Sequence, residues 1–502
     1  SALWGANAMG GVVNVITKNI REDDKRVSLN FQTGSFRTEK YNLLSNLSRG
    51  NTWLFFSASK EDSAGWRENS DFSGNDFIFK AERRFQNGDD LEAHFILNDS
   101  RFGLPGKNLT ALEDYDGRTE RAAQSPDARM DKTKQYLQMK YGKIFQNSMT
   151  LQSRIYGNLS EKRYEYPTGY TDDLSESNSL GAEIRTELPS GIMVGADLRQ
   201  DGFTRMDKIA DAETISREIF NSALFLQKRF GSETLMSIAG LRYDHHSVFG
   251  GEINPHFTFV SKLEKSLRIS CNAGRAFRAP AFEDLYSPES AWPASLWGPA
   301  GDTKGNTELK PETAWGYDLG AEYKLQSILS RVTFYRNDVK NLIEWAEVDP
   351  AADYDKWRPS NVGKAYNQGI EAEFMQELLK NLSHGLNYTS LESKGKKGGE
   401  TEYKTLQYSP PRKINYWLRY GDPKILQCKW GVNFTDKVEW TDDYGLKHKL
   451  ADFVLAEARI GKEINGWEIY FAVHNIFSEK YQIREGYPLP GREFRAGMSV
   501  KF

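Results

Sequence analysis

The side chains of this chain that could perform covalent or metal chemistry are few and poorly arranged for it. Two cysteines, Cys271 and Cys428, are too few for a disulfide scaffold or a Cys-based zinc site. The seven histidines are His94, His245, His246, His256, His384, His448 and His474. His245 and His246 are neighbours, so on a strand they point to opposite faces and do not share a metal. There is no Gly-x-Ser-x-Gly elbow, no phosphate loop and no His-Glu-x-x-His helix. A glycosidase needs two carboxylates across a cleft, and among 69 acidic residues no motif favours one pair. No catalytic residue and no cofactor are therefore assigned, and the chain is read as a non-enzyme.

What remains is binding chemistry. Long polar stretches carry Trp66, Tyr115, Trp292, Trp297, Trp345, Trp357, Trp440 and Tyr444, flat rings able to stack on a ring-bearing ligand. Arg67, Lys107, Arg118, Lys304, Lys356, Arg358, Lys394, Lys396 and Lys397 lie in the same stretches, where cations would steer an anionic ligand or equally face anionic outer-leaflet lipid, and Arg278 is a further loop candidate for ligand. Asp114 and Asp116 offer hard oxygen for Ca²⁺, but Glu113 to Gly117 is not a twelve-residue calcium loop, so they stand as weak candidates and no metal is assigned.

The elements that must carry these residues are strands. Alternation runs through Phe494, Ala496, Met498, Val500 and Phe502, and through Trp467, Ile469, Phe471 and Val473. Leu426, Cys428, Trp430, Val432 and Phe434 repeat it, as do Leu267, Ile269, Cys271 and Ala273. Successive strand residues face opposite sides, so each segment has one apolar and one polar face, and both cysteines fall on the apolar one. The polar faces hold ions in mid-strand, such as Lys80, Glu82, Glu457 and Arg459, which a wet lumen tolerates. Aromatics near segment ends suit membrane girdles.

Candidate strands start near residues 26, 40, 52, 75, 90, 134, 148, 178, 192, 219, 235, 252, 266, 313, 330, 365, 382, 412, 427, 450, 466 and 494. These 22 segments are joined by 11 longer connections and 10 short ones in alternation; the long stretches include 99–133, 160–177, 275–312, 340–364, 392–411 and 475–493. Short turns on one rim and long loops on the other give a transmembrane β-barrel rather than a soluble sandwich. A passive porin would have a typical count of 16–18 strands, and a propeller would repeat about every 40 residues. The net charge, 66 − 69 = −3, gives no basic stripe, so no nucleic acid is expected.

Several segments resemble the TonB-dependent outer-membrane receptor family, nearest to its cobalamin and catecholate-siderophore receptors. Gly5 to Lys18, with Gly10 and Gly11, resembles the last strand of that family's plug domain. Arg275 to Tyr286, with Phe277, Arg278, Ala279 and Pro280, resembles its arginine-proline box. Gly305 to Glu312, with Asn306, Leu309, Pro311 and Glu312, resembles the box that follows, and Asn367 to Glu373 a further barrel strand. His474 to Tyr481, then Pro490, Gly491, Arg492 and the terminal Phe502, is similar to its last strand pair.

The resemblance implies a plug remnant over 1–19 and an outer-membrane barrel over 20–502. It implies import of a ferric siderophore or cobalamin-like corrinoid, driven by the TonB-ExbB-ExbD energy complex, whose coupling segment is not found here. Haem and oligosaccharide receptors share the fold, but residues 281–305 lack the histidine that haem-uptake relatives place there. Further implied partners are outer-membrane lipid, lipopolysaccharide and the barrel-insertion machinery, which would read the strand ending in Phe502.

Overall fold

The structure is a computed structural model. It describes residues 9–11, 27–108, 110–292, 301–347, 355–397, 400–422, 425–441 and 446–502. Of the expected plug remnant over 1–19, all but residues 9–11 lies outside them.

Twenty-two strands form one closed antiparallel wall. In chain order the first eleven are β1 (Val27–Gly34), β2 (Thr38–Arg49), β3 (Thr52–Ser63), β4 (Phe72–Arg84), β5 (Asp90–Gly103), β6 (Arg129–Ile144), β7 (Thr150–Tyr166), β8 (Thr171–Glu187), β9 (Ile192–Asp207), β10 (Ala212–Gly231) and β11 (Leu235–His246). There follow β12 (Gly250–Lys262), β13 (Leu267–Arg278), β14 (Glu312–Leu325), β15 (Ile328–Glu347), β16 (Asp355–Leu379), β17 (Leu382–Lys397), β18 (Arg412–Asp422), β19 (Leu426–Thr435), β20 (Phe453–Ile464), β21 (Trp467–His474) and β22 (Glu493–Lys501). Each pairs with its sequence neighbours, and β1 closes on β22 with Phe31 opposite Met498. Closure leaves no unpaired edge, the condition for a sheet to lie in hydrocarbon. Among the described residues no helix is long and apolar enough to cross a membrane.

All 22 expected segments are present, most within three residues of the expected start. The exceptions lie on one rim: β6, β8, β10 and β16 begin at 129, 171, 212 and 355 rather than near 134, 178, 219 and 365. Most of the expected loop 160–177 is therefore ladder, with β7 and β8 joined through residues 167–170. The expected loop 340–364 is likewise shortened by β15 and β16. Beyond the hydrocarbon both faces of a strand meet water, so the hydropathy alternation fades while the backbone hydrogen bonds continue.

The facing is as the alternation implies. Leu319, Phe334 and Ile370 lie side by side across β14, β15 and β16 and are exposed on the outer surface. Stacked Trp315 and Tyr317 extend that row toward the mouth, with ring centroids 6.2 Å apart. Cys271 lies beside Leu319 and Cys428 beside Ile460, and both thiols are free. The opposite faces line the lumen with ions: Lys80 with Glu82 at 2.7 Å, Lys429 with Glu457 at 3.1 Å, Arg199 with Asp201 at 2.8 Å. On the short-turn rim, Asn465 and Gly466 both take positive φ (53° and 82°) between β20 and β21. That is the two-residue hairpin which Asn-Gly favours.

Candidate functional site

The connections of the other rim pack against one another and build a mouth in three clusters. In the first, segments 64–71, 104–128 and 475–492 meet. Arg67 is 5% exposed and donates to the carbonyls of Gly106 (2.9 Å) and Ala122 (2.8 Å). Tyr115 is 4% exposed; Gln482 hydrogen-bonds its hydroxyl and Lys480 its carbonyl. Burial pushes the Tyr115 phenol up, so it stays protonated at neutral pH. The Asn108 amide donates to the Gly486 carbonyl at 2.7 Å. Arg67 and Tyr115, expected to meet ligand, thus spend their side chains holding loops together. Trp66 is half-buried, and its carbonyl accepts from Arg121 at 2.7 Å.

At the foot of this cluster Arg129 donates to Asp71 at 2.6 and 3.1 Å. Those hydrogen bonds hold the Asp71 carboxyl below the usual carboxylate range. A depressed folded-state value stabilises the fold above the unfolded pKa, and the contribution is lost as pH falls through the folded one. Protease resistance of segment 64–71 should therefore drop on acidification, with Asp71→Asn lacking that part of the response. An identical pH profile in the variant would remove Asp71 as the cause.

The second cluster is built on residues 279–291 and 302–311. Arg278 and Glu312 are the last register pair of β13 and β14, and Arg278 clamps Glu312 through Nε (2.5 Å) and Nη2 (2.6 Å). Glu312, 1% exposed, also accepts the Ile343 amide at 2.8 Å. Above this stem Leu285, on the short helix α1 (Phe282–Tyr286), packs with Leu309 and Ile219 in an apolar core. Asn306 donates to the Pro359 carbonyl at 3.0 Å and accepts the Glu308 amide at 2.9 Å. Phe277 is buried at 1% against Phe249, and Pro280 and Pro311 are buried. Ala279 is half-exposed at the stem. Both sequence boxes converge on one loop stem. Trp345 and Trp357 stand on the β15–β16 hairpin beside it, each 37% exposed.

In the third cluster Trp440 lies between Tyr408 (6.4 Å, 11°) and His448 (4.6 Å, 23°). Trp440 and His448 sit opposite each other on a small ribbon, Val438–Thr441 with Lys447–Leu450. Trp297 and Tyr444 lie outside the described residues, as does the side chain of Trp292.

The remaining expected residues sit elsewhere. Asp116 Oδ1 accepts the amides of Arg118 and Thr119, each at 2.8 Å, and Asp114 closes a short 3₁₀ turn. Among the described residues no group of three or more His, Cys, Asp or Glu could hold a metal ion. Gly10 and Gly11 follow Met9, whose carbonyl accepts from Asn337 on the lumenal face of β15 at 3.3 Å. Gly491 passes so close to Ser478 that a Cβ would fall 2.6 Å from its Oγ, while Arg492 donates to the Ile476 carbonyl at 2.6 Å. The Phe502 amide donates to Val27 at 2.9 Å, tying the two ends of the wall.

Two lumenal groups were not singled out from the sequence. Arg242, 4% exposed, pairs with Asp244 (2.8 Å) and Asp197 (3.3 Å). Lys132, Lys134 and Lys162 share one face at the mouth. Alternation marks their face, but only strand pairing brings them together.

Comparison with known proteins places this geometry. The family model described as TonB dependent receptor-like, beta-barrel, matches residues 22–476. The Vitamin B12 transporter BtuB of Photobacterium profundum is 24% identical over 64% of this chain and 52% of its own length. The ferrienterobactin receptor of Escherichia coli is 31% identical over 43% of this chain and 29% of its own. The chain thus spans about half, or less, of these curated relatives. Among solved structures, the siderophore receptor PirA from Acinetobacter baumannii superposes with a TM-score of 0.80 at 14% identity, covering 100% of this chain and 84% of that one. The ferric enterobactin receptor PfeA gives 0.78 at 17%, with the same coverage. At those identities the likeness is one of fold.

Proposed function

Since the chain belongs to the TonB dependent receptor-like β-barrel family, we propose that it is the wall and mouth of an energised outer-membrane importer for a scarce ligand, a ferric siderophore or a cobalamin-like corrinoid. The observation that carries this reading is the closed 22-strand wall whose long connections pack into a structured mouth. The relatives are transporters and receptors, and they include both a B12 transporter and ferric enterobactin receptors.

In this mechanism the outer clusters bind ligand, the lumen admits it, and the TonB-ExbB-ExbD complex drives release into the periplasm through a plug. The residues of this chain supply the first two steps. Exposed Trp345, Trp357 and neighbouring rings offer flat contact, and the lumenal ions keep the path hydrated. The third step belongs to a plug, of which 1–19 would be the last part, and to a coupling segment that is assigned to no residue here.

The test is uptake. A Gram-negative host stripped of its own receptors should regain growth on a ferric catecholate siderophore as sole iron source, or take up labelled cobalamin, when given the full-length protein. Deleting the host's energy complex should abolish it. Uptake that persists without the complex would indicate a passive pore, and uptake of neither ligand would exclude both classes.

A further inference from the structure

Three lysines meet on the inner wall near the mouth. Lys132 on β6 and Lys162 on β7 are direct cross-strand partners, and Lys134 follows two residues along β6 on the same face. Leu137, Met139, Ile155 and Leu159, each more than half exposed, fix the outward faces of these strands. Residues of the opposite parity, these lysines among them, line the lumen.

The carboxylates on that face are already engaged. Glu61 takes Lys40 at 2.7 Å, Asp173 takes Arg205 at 2.9 Å, and Asp76 accepts from Ser59 and Asn98. Among the described residues no acidic side chain forms an ion pair with Lys132, Lys134 or Lys162. Like charges placed opposite each other across a ladder repel, and no ion pair relieves that repulsion; the carboxylate of Asp76 stands two strands away, with Asn98 between it and Lys134.

Register carries the same row further round the wall. Lys134 lies opposite Ser160, Ser160 opposite Ser177, Ser177 opposite Phe203, and Phe203 opposite Arg217. Arg217 sits 5.3 Å over the Tyr286 ring, and Phe203 stacks on Phe282 at 5.4 Å. Four strand spacings put the ends of this arc roughly 19 Å apart. It carries four cations, two serine hydroxyls and aromatic rings at one end.

We propose that this arc is an anion subsite, which takes a multiply charged anion the size of a metal chelate in preference to an uncharged corrinoid. The proposal rests on the importer reading and deepens it, choosing the anionic ligand class and naming the wall that selects it. Lipid headgroups are excluded as the source of the anion because the arc faces the lumen.

The probe is ferric tris(catecholate), a trianion, titrated by tryptophan quenching against the purified protein in detergent, with uncharged cyanocobalamin and inorganic phosphate in parallel. Lys132→Gln, Lys134→Gln and Lys162→Gln combined should weaken trianion binding about tenfold or more, and the loss should shrink at high salt. Arginine at all three positions should restore it. Lys143→Gln, on the opposite rim, should leave it unchanged, and cyanocobalamin should be indifferent to every variant. Unchanged trianion affinity in the triple variant, no trianion binding by the parent, displacement by equimolar phosphate, or equal loss for cyanocobalamin would each overturn the subsite. Uptake separates this from the wider reading: a triple variant that imports as the parent does sinks the subsite alone, whereas trianion binding without any uptake sinks the importer.

Discussion

Replacing Arg278 by alanine should cost about 3–5 kcal/mol, nearer the lower figure, and should release residues 279–291 and 302–311 from the mouth. The size follows from Glu312, not from the arginine. Glu312 is 1% exposed, whereas the Arg278 side chain is 45% exposed. Removing the guanidinium leaves a buried carboxylate with only the Ile343 amide as donor. Water entering from the exposed side of Arg278 softens the loss. Arg278→Lys keeps the charge but not the two-pronged geometry, and should fall between. Arg278→Ala combined with Glu312→Ala should be less harmful than Arg278→Ala alone, because the stranded charge is gone. Hydrogen exchange across 279–291 and 302–311, with urea unfolding of the barrel, reads both effects. Exchange unchanged by Arg278→Ala would mean that the loop is held by its Leu285–Leu309–Ile219 core and not by its stem.

That stem illustrates where sequence reading stops. Arg278 and Glu312 are both visible in the sequence as members of boxes, but the loop position of Arg278 suggests a ligand contact and not a stem pair. The two are 34 residues apart, and only the β13–β14 register makes them a closing pair. The same holds for Tyr115 and Gln482, 367 residues apart, and for Lys132 opposite Lys162. No local period encodes such contacts. The wall was legible because hydrocarbon and water impose a strict contrast on alternate residues, and 22 segments in even parity survived even where individual starts slipped. The slips themselves are physical: β8, β10 and β16 outrun the contrast by several residues because nothing apolar surrounds their upper ends. The candidate site was legible as a set of aromatic and basic loop residues, but not as an arrangement, since burial of Arg67 and Tyr115 is decided by loops from distant parts of the chain.

The strictness of that contrast is itself open to measurement. Phe471→Arg should destabilise the barrel by roughly 2–4 kcal/mol, the range for a cation at the membrane midplane. Phe471 lies between Ile460 and Ala496 in register, stacks on Phe494 at 6.0 Å, and is 45% exposed on the outer wall. It stands four residues along β21 from Trp467, a rise of roughly 13 Å along the strand. With a tilt near 45°, that is about 9 Å above a tryptophan suited to the girdle of the short-turn rim, close to the centre of an apolar band about 25 Å tall. The neighbouring Tyr470 faces inward, where its hydroxyl donates to Gln32 at 2.8 Å and Arg459 lies 4.2 Å over its ring. Tyr470→Arg therefore loses a hydrogen bond and sets one cation near another in a hydrated lumen, a smaller penalty that salt should reduce further. Heat-modifiable gel mobility and urea titration in liposomes distinguish the two. Equal destabilisation would show that residues 470 and 471 do not divide lumen from lipid, and with them would fall the parity that places the lysines of β6 and β7 inside.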